Sequence, residues 1–485
     1  MQTIFKTFLL LFLIFFSKPG SSQTISNGDF ETVDTTLKVL GWKWSNASGY
    51  KFVADPFTHY SGNYSALLEN VSNTTSESNG AAFVQPYLTK KTGMKSWRFS
   101  VMVKTQSAAP CGVIINAFCR QFPIFSTDMF ERGIGGTADW RRIVAEFTLP
   151  TYTNALSFGG MLTGSGKIWF DDFKLEEIPL DVKPVGAVVK KYFSEFIDTL
   201  KLHSIRRDSI DFNLLEKDLE LIAKGTQNKD DLNPAFQYAF AAINDNFGAY
   251  YDSTTMVKAD ADRLIAQKNK KTPPPLRYAI GGIWKNEYAI IRVPSFFIED
   301  PILSRLYSDS LVHLIKNMES KHPKGFLIDL RDCSKGNIDA LMNGLSPFFN
   351  AKKTLTINYA NGTLKSWDYS DTTKYKINKK MSVAVLTGPL TQAAAEAVVI
   401  AFKSKKNAKQ FGEPTGGYSE EIRNFKLSDN ATVEFSVGVY SDAKNLKYTG
   451  RIKPDQFVEF PKNVQIKIEE DAIVYLASQW IKLSN

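Results

Sequence analysis

Val383-Ala384-Val385-Leu386-Thr387-Gly388-Pro389-Leu390-Thr391-Gln392-Ala393-Ala394-Ala395-Glu396-Ala397-Val398 is the stretch on which the reading of this chain turns. A short apolar run enters a Gly-Pro turn, and strong helix formers follow. The pattern predicts a buried strand, a tight turn and a helix. One side chain at such a junction sits at a helix N-terminus, where free N–H groups and the helix dipole favour negative charge. A nucleophilic hydroxyl would be placed there. The residue at that point is Ala393.

Outward from this stretch, residues 277–485 alternate strand-like and helix-like segments. Tyr288–Val293 reads as a strand, Ile302–Met318 as an amphipathic helix, and Gly325–Arg331 as a buried strand ending in charge. Ile338–Phe349 is helical or turn-like, Gln410–Glu413 and Thr432–Val439 are strand-like, and Asp471–Ile481 is a terminal helix. The alternation predicts an α/β domain with a partly parallel sheet. Residues 185–276 read as helices: one stripe of Val188, Val189, Tyr192, Phe193, Phe196, Ile197 and Leu200, a second with Leu214, Leu215, Leu219, Leu221 and Ile222, and a third from Phe236 to Ile243. Lys268–Lys271 and Pro273–Pro275 mark a loop.

Five blocks in order make this half of the chain resemble the S41 peptidases, the tail-specific and tricorn-core group, of ClpP/crotonase-like fold. Ile291–Phe296 is similar to the strand before the family's crossover, and Lys324–Arg331 to its kGxIxDLR strand. Thr391–Glu396 is similar to T-x-S-A-x-E, Gly412–Gly417 to GexTxG, and Gly450–Asp455 to the GxxPD turn. The resemblance implies a catalytic site, and the chain departs from it at each position. The serine corresponds to Ala393, which cannot form an acyl-enzyme. The base of the tricorn-like branch corresponds to Phe247 within Asp245-Asn246-Phe247-Gly248, and the lysine of the other branch to Tyr418. The glycine pair of the oxyanion turn corresponds to Lys335 and Gly336. Thr391, Ala394, Glu396, Thr415 and Gly416 are the residues expected to line the substrate cleft. Thr391, Ser334 and Ser419 are the hydroxyls that could replace the missing one; a cap or turn role is the alternative for each.

Residues 23–178 show short alternating segments separated by turns, which predicts an all-β sandwich. Asn27-Gly28-Asp29-Phe30-Glu31, Gly41-Trp42, Asp139-Trp140 and Ile168–Leu175 make it similar to galactose-binding-like jelly rolls, as in carbohydrate-binding modules. That resemblance implies sugar stacking, with Trp42, Trp44, Tyr50 and Tyr60 as the aromatic candidates, against a packing role for the tryptophans. It also implies a structural calcium, for which Asp29, Glu31 and Asp171 are the carboxylates available. No other cofactor is expected. Residues 179–184 read as a linker.

The chain has 485 residues, 43% hydrophobic and 13% aromatic, which suits several globular domains and not wholesale disorder. Its net charge of +9 comes from 59 basic and 50 acidic residues scattered along the sequence, without the concentrated basic face that nucleic acid requires. Residues 1–22 read as a secretory signal with Lys6, an apolar Phe8–Phe16 run and small residues before Gln23. No later stretch is apolar enough to span a membrane, so a secreted or periplasmic protein is expected. Cys111, Cys119 and Cys333 are too few for a disulfide framework. On one extended strand Cys111 and Cys119 would lie about 26 Å apart and could not bond, whereas a bulged hairpin would join them. The expected function is that of a pseudopeptidase holding a polypeptide, glycan or apolar ligand. The alternatives are an active serine-type peptidase with a displaced nucleophile, or an artificially inactivated form of one.

Overall fold

The computed structural model describes residues 25–484, apart from 46, 73–79, 89–93, 110, 121, 128–133, 181, 228–231, 259–277, 297, 299, 335, 372–373 and 460–470. The secretory signal, the Lys268–Lys271 loop and Lys335 fall outside the described residues. The chain divides into two compact units, residues 1–198 with 208–252, and residues 199–207 with 253–485.

The first unit is a two-layered antiparallel sandwich. Strands β1 (Lys43–Trp44), β2 (Tyr50–Asp55), β3 (Ser65–Asn70), β4 (Gly80–Leu88), β5 (Lys95–Ala108), β6 (Cys111–Cys119), β7 (Phe122–Thr127), β8 (Gly136–Leu149), β9 (Ala155–Thr163) and β10 (Lys167–Ile178) form two sheets. Their orders are β1-β4-β9-β6-β7 and β2-β3-β10-β5-β8. Alternate residues of facing strands, among them Phe83, Phe99, Val101, Val113, Ile115, Phe158 and Phe170, fill the space between the sheets. Cys111 and Cys119 lie at opposite ends of the single strand β6, both buried as free thiols, so the hairpin that would pair them does not form.

Helices α1 (Ala187–His203), α2 (Phe212–Ile222) and α3 (Asn233–Ala242), then strand β11 (Ala249–Tyr251), follow the sandwich. Val189, Tyr192, Phe193, Phe196 and Ile197 are buried as the period requires. Val188 is exposed, because it falls outside the stripe facing Phe236; Leu214, at the edge of its own stripe, is partly exposed too. Helices α2 and α3 are tied to the sandwich by a buried polar knot. Asp218 accepts from the Thr151 N–H and hydroxyl at 2.9 and 2.8 Å and from the Tyr238 hydroxyl at 2.5 Å.

The second unit is built on a mixed sheet of β12 (Ile280–Trp284), β13 (Tyr288–Arg292), β14 (Gly325–Asp329), β17 (Ser382–Thr387), β18 (Ala408–Gly412) and β22 (Gln456–Phe457), in that order. Only β12 runs antiparallel to its neighbour; the other pairings are parallel. Strands β15 (Leu355–Tyr359), β16 (Leu364–Trp367), β19 (Glu420–Lys426), β20 (Thr432–Asp442) and β21 (Lys447–Tyr448) form a second sheet. Helices α4 (Pro301–Glu319), α5 (Ile338–Gly344) and α6 (Ala394–Lys403) cover one face of the parallel sheet, and α7 (Ala472–Ser484) the other. The period of two is visible along the central strands. Phe326, Ile328, Val383 and Val385 point to the α4–α6 side, while Leu327, Ala384 and Leu386 point to Ile473, Val474, Ala477 and Ile481 of α7.

Candidate functional site

The candidate site is assembled at the C-terminal ends of β14, β17 and β18, where crossover connections leave loops free. Strand β17 is buried throughout and ends at Thr387. In the turn that follows, the Thr391 hydroxyl accepts from the Gly388 N–H at 3.0 Å and donates to the Leu330 carbonyl at 2.9 Å. This closes the turn and fastens it to the end of β14. The Gln392 N–H adds a bond to the Cys333 carbonyl at 3.1 Å.

Ala393 comes next, with φ 52° and ψ −115°. An L-residue in that region costs on the order of 1–3 kcal/mol and is held only where its surroundings over-determine it. Ala393 is also the N-cap of α6, but its methyl accepts no hydrogen bond. Only the reciprocal half of a capping box is present: the Glu396 carboxylate takes the Ala393 N–H at 3.0 Å.

Glu396 is the clasp of the site. It is fully buried. Besides Ala393 it accepts from the Thr415 hydroxyl at 2.5 Å, the Gly417 N–H at 2.9 Å and the Tyr418 N–H at 2.6 Å. Burial pushes its pKa up, and the four donors offset that only in part. Thr415 is equally buried. Its N–H donates to the Ile452 carbonyl, and its hydroxyl accepts from the Ile452 N–H at 2.8 Å. Glu396 and Thr415 therefore do not line an open cleft; they bolt the 415–418 loop to the start of α6. Gly416 fits against Gln392, with room for no side chain: a Cβ there would lie 2.3 Å from Gln392 Cγ. Ala394 is buried in the first turn of α6.

The turn after β14 is also tied back. Gly336 bridges to Phe296, whose carbonyl accepts from the Asn337 N–H at 2.7 Å. The Ser295 hydroxyl accepts from the Ser334 N–H at 2.8 Å and lies 3.2 Å from the Ser334 hydroxyl. Beneath them Cys333 is buried, and burial pushes its thiol up to about 12, so it carries no thiolate near neutrality. Ser419 is buried and donates to the Gly450 carbonyl at 2.7 Å. The three hydroxyls nearest in sequence to the site thus have structural partners, and Thr391 and Ser419 have no exposure at all.

Behind the loops lies a buried ionic bracket. Arg331 donates to both oxygens of Asp329, at 2.9 and 2.8 Å, and to Asp471 at 2.6 Å. Asp471 in turn caps α7 through the N–H groups of Ile473 and Val474. Burial alone would raise the Asp329 pKa, but the Arg331 hydrogen bonds and charge, aided by Arg292, hold it below the usual carboxylate range.

Phe247 belongs to the first compact unit, just after α3, where its N–H donates to Asp245 at 3.0 Å. Among the described residues, no group of three or more His, Cys, Asp or Glu is placed to hold a metal ion.

In the sandwich, the aromatic candidates separate. Trp42 is in the core against Phe30, Phe83 and Phe173, with its N–H on the Asn27 carbonyl. Tyr50 is buried with its hydroxyl on the Gly164 carbonyl, and Trp44 lies against Phe52. Core aromatics are unavailable for sugar stacking. Tyr60 is exposed, and its ring lies 5.9 Å from that of Trp140. Its loop is held from beneath by carboxylates. Asp171 accepts from the Tyr60 and Ser61 N–H groups, both at 2.9 Å, and Glu31 from those of Asn63 and Tyr64. Those oxygens face N–H donors, a setting suited to a loop staple; Asp29 takes no part in it.

Arg451, Ser295 and Asp471 fall within stretches read from the sequence but had no role of their own there, and Trp140 was read only as part of the Asp139-Trp140 motif. A charged residue inside the GxxPD-like turn was the available signal for Arg451.

A parallel-sheet strand, a residue at positive φ and a helix meet at Ala393. Residues 287–458 match the model of Peptidase family S41. Among solved structures, the chain is similar to a lipoprotein from Streptococcus agalactiae, at 19% identity over 64% of this chain and 99% of that one, with a TM-score of 0.46. A putative peptidase from Parabacteroides merdae gives 16% identity over 60% and 96%, TM-score 0.45. A photosystem II D1 C-terminal processing protease gives 13% over 58% and 95%, TM-score 0.44. No curated protein matches. Among the described residues, no helix is long and apolar enough to cross a membrane.

Proposed function

We propose that the exported chain is a non-catalytic S41 protein that holds a polypeptide at the Ala393 elbow. The observation that carries this reading is the pairing of a retained elbow backbone with a missing hydroxyl, while Thr391 and Ser419 are buried in structural bonds. A nucleophile needs an oxygen or sulfur within reach of a base. In the S41 resemblance the base positions correspond to Phe247 and Tyr418, and neither residue type is the base that the pattern calls for. The full chain is expected to show no labelling by a fluorophosphonate probe and no cleavage of unfolded casein, and Ala393→Ser is expected to change neither result. Labelling or turnover by the purified wild-type protein would overturn the reading in favour of a displaced nucleophile.

A second reading concerns the sandwich. Tyr60, exposed on a stapled loop, pairs with the half-buried Trp140, and such aromatic faces suit the C–H surface of a neutral sugar ring. Migration through native gels containing soluble xylan or galactomannan should be retarded, and retardation should disappear in Tyr60→Ala and Trp140→Ala. Equal migration with and without polysaccharide removes this reading.

A further inference from the structure

We infer that Arg451 is the anchoring residue for a carboxylate of the ligand held at the elbow, an assignment that rests on the polypeptide-binding reading above. The Arg451 side chain is fixed at one end and free at the other. Its Nε donates to the Thr415 carbonyl at 3.0 Å. Its terminal guanidinium nitrogens have no hydrogen bond or ion pair among the described residues, although the residue is exposed. The stem crosses Gly417, whose φ of +97° and missing side chain leave the passage open; a Cβ there would stand 3.0 Å from Arg451 Cγ.

The position follows from the clasp. Gly417, Tyr418 and Ala393 all donate to the one Glu396 carboxylate. The loop under Arg451 is therefore the loop bolted to the elbow. Glu396 is fully buried and occupied by four donors, so it does not neutralise the guanidinium. Asp455, in the same turn, is held by Lys403 at 2.8 Å and by the Gln410 N–H at 2.7 Å. What remains is a planar fork of donors, oriented by its own Nε bond, over the loop that the Glu396 clasp joins to Ala393. Such a fork matches a carboxylate by two parallel N–H···O bonds, and its pre-orientation reduces the ordering cost of binding.

The carboxylate could be a chain terminus or an acidic side chain, and three fluorescent alanine-rich hexapeptides separate these. One ends in a free carboxylate, one is the neutral carboxamide, and one is a carboxamide with an internal glutamate. In polarisation titrations of the full chain, at least one carboxylate peptide is expected to bind about tenfold more tightly than the neutral one, as hydrogen bonds to charged groups allow. Arg451→Gln should erase that preference with an unchanged urea midpoint, and Arg451→Lys should keep part of it. Equal binding of all three peptides, or a preference that survives Arg451→Gln, overturns the assignment and leaves peptide binding standing. Binding by none of them removes both.

Discussion

Glu396→Ala is expected to destabilise the S41 unit by about 3–5 kcal/mol, the range for uncovering buried hydrogen-bonding groups around a lost charge. Four donors converge on this carboxylate. Alanine would strand the N–H groups of Ala393, Gly417 and Tyr418 and the hydroxyl of Thr415. Glu396→Gln should cost less, about 2 kcal/mol, because one amide oxygen still accepts while the NH2 group faces a donor. Urea unfolding monitored by tryptophan fluorescence measures both. Amide exchange at Gly417 and Tyr418 should accelerate in the alanine variant even under conditions where the rest of the sheet stays protected. A cost below about 1 kcal/mol would mean that the loop is held by something other than the clasp.

Arg331→Met should have a comparable effect with a distinctive pH signature. Removing the guanidinium leaves Asp329 and Asp471 buried without their partner, a change that costs about 3–5 kcal/mol near neutral pH. In the wild type, Asp329 titrates below its ordinary range. Its contribution is therefore complete above the unfolded carboxylate value of about 4 and is lost as pH falls through the lower folded value. Without the Arg331 guanidinium, only Arg292 and the residue 331 N–H oppose burial, and the Asp329 pKa rises. The folded variant then binds a proton more readily than the unfolded chain, so acid stabilises it. The stability gap between the two proteins should narrow by about half or more between pH 7 and pH 4. A gap that stays constant with pH would show that the bracket is not the source of the loss.

The fold of the S41 unit was largely legible in the sequence because its central elements are buried on both sides. The strand, turn and helix around Ala393 appear where the apolar run and the helix formers place them, as β17 and α6. The long helix predicted over Ile302–Met318 occupies Pro301–Glu319, capped by Asp300. The β15–β16 pair and β19 were missed because these strands mix polar and charged residues with apolar ones and lie partly at the surface, giving a weak period. The second helical segment lost Leu214 to the surface for a related reason: at a stripe's edge, helical spacing alone does not decide exposure.

The alanine at 393 was readable because it is a single residue. The clasp was not. Glu396 looks like a cleft carboxylate in sequence, and its burial depends on amides that arrive from residues 417 and 418. The sandwich aromatics pose the same problem. Trp42, Tyr50, Tyr60 and Trp140 are similar in type, yet long-range packing buries the first two, leaves Tyr60 exposed and half-buries Trp140 beside it.

The half capping box at Ala393 has a consequence for how such a site can change over time. In a full box, the residue at the N-cap is a structural partner, and replacing its oxygen weakens the helix. Here the backbone is gripped entirely from the Glu396 side, so the side chain at 393 contributes nothing to its own conformation. Position 393 is thus mechanically idle. On the reading proposed above, a mutation there would delete the chemistry while every neighbouring bond survives, and the binding shape would pass intact to a protein that no longer cuts.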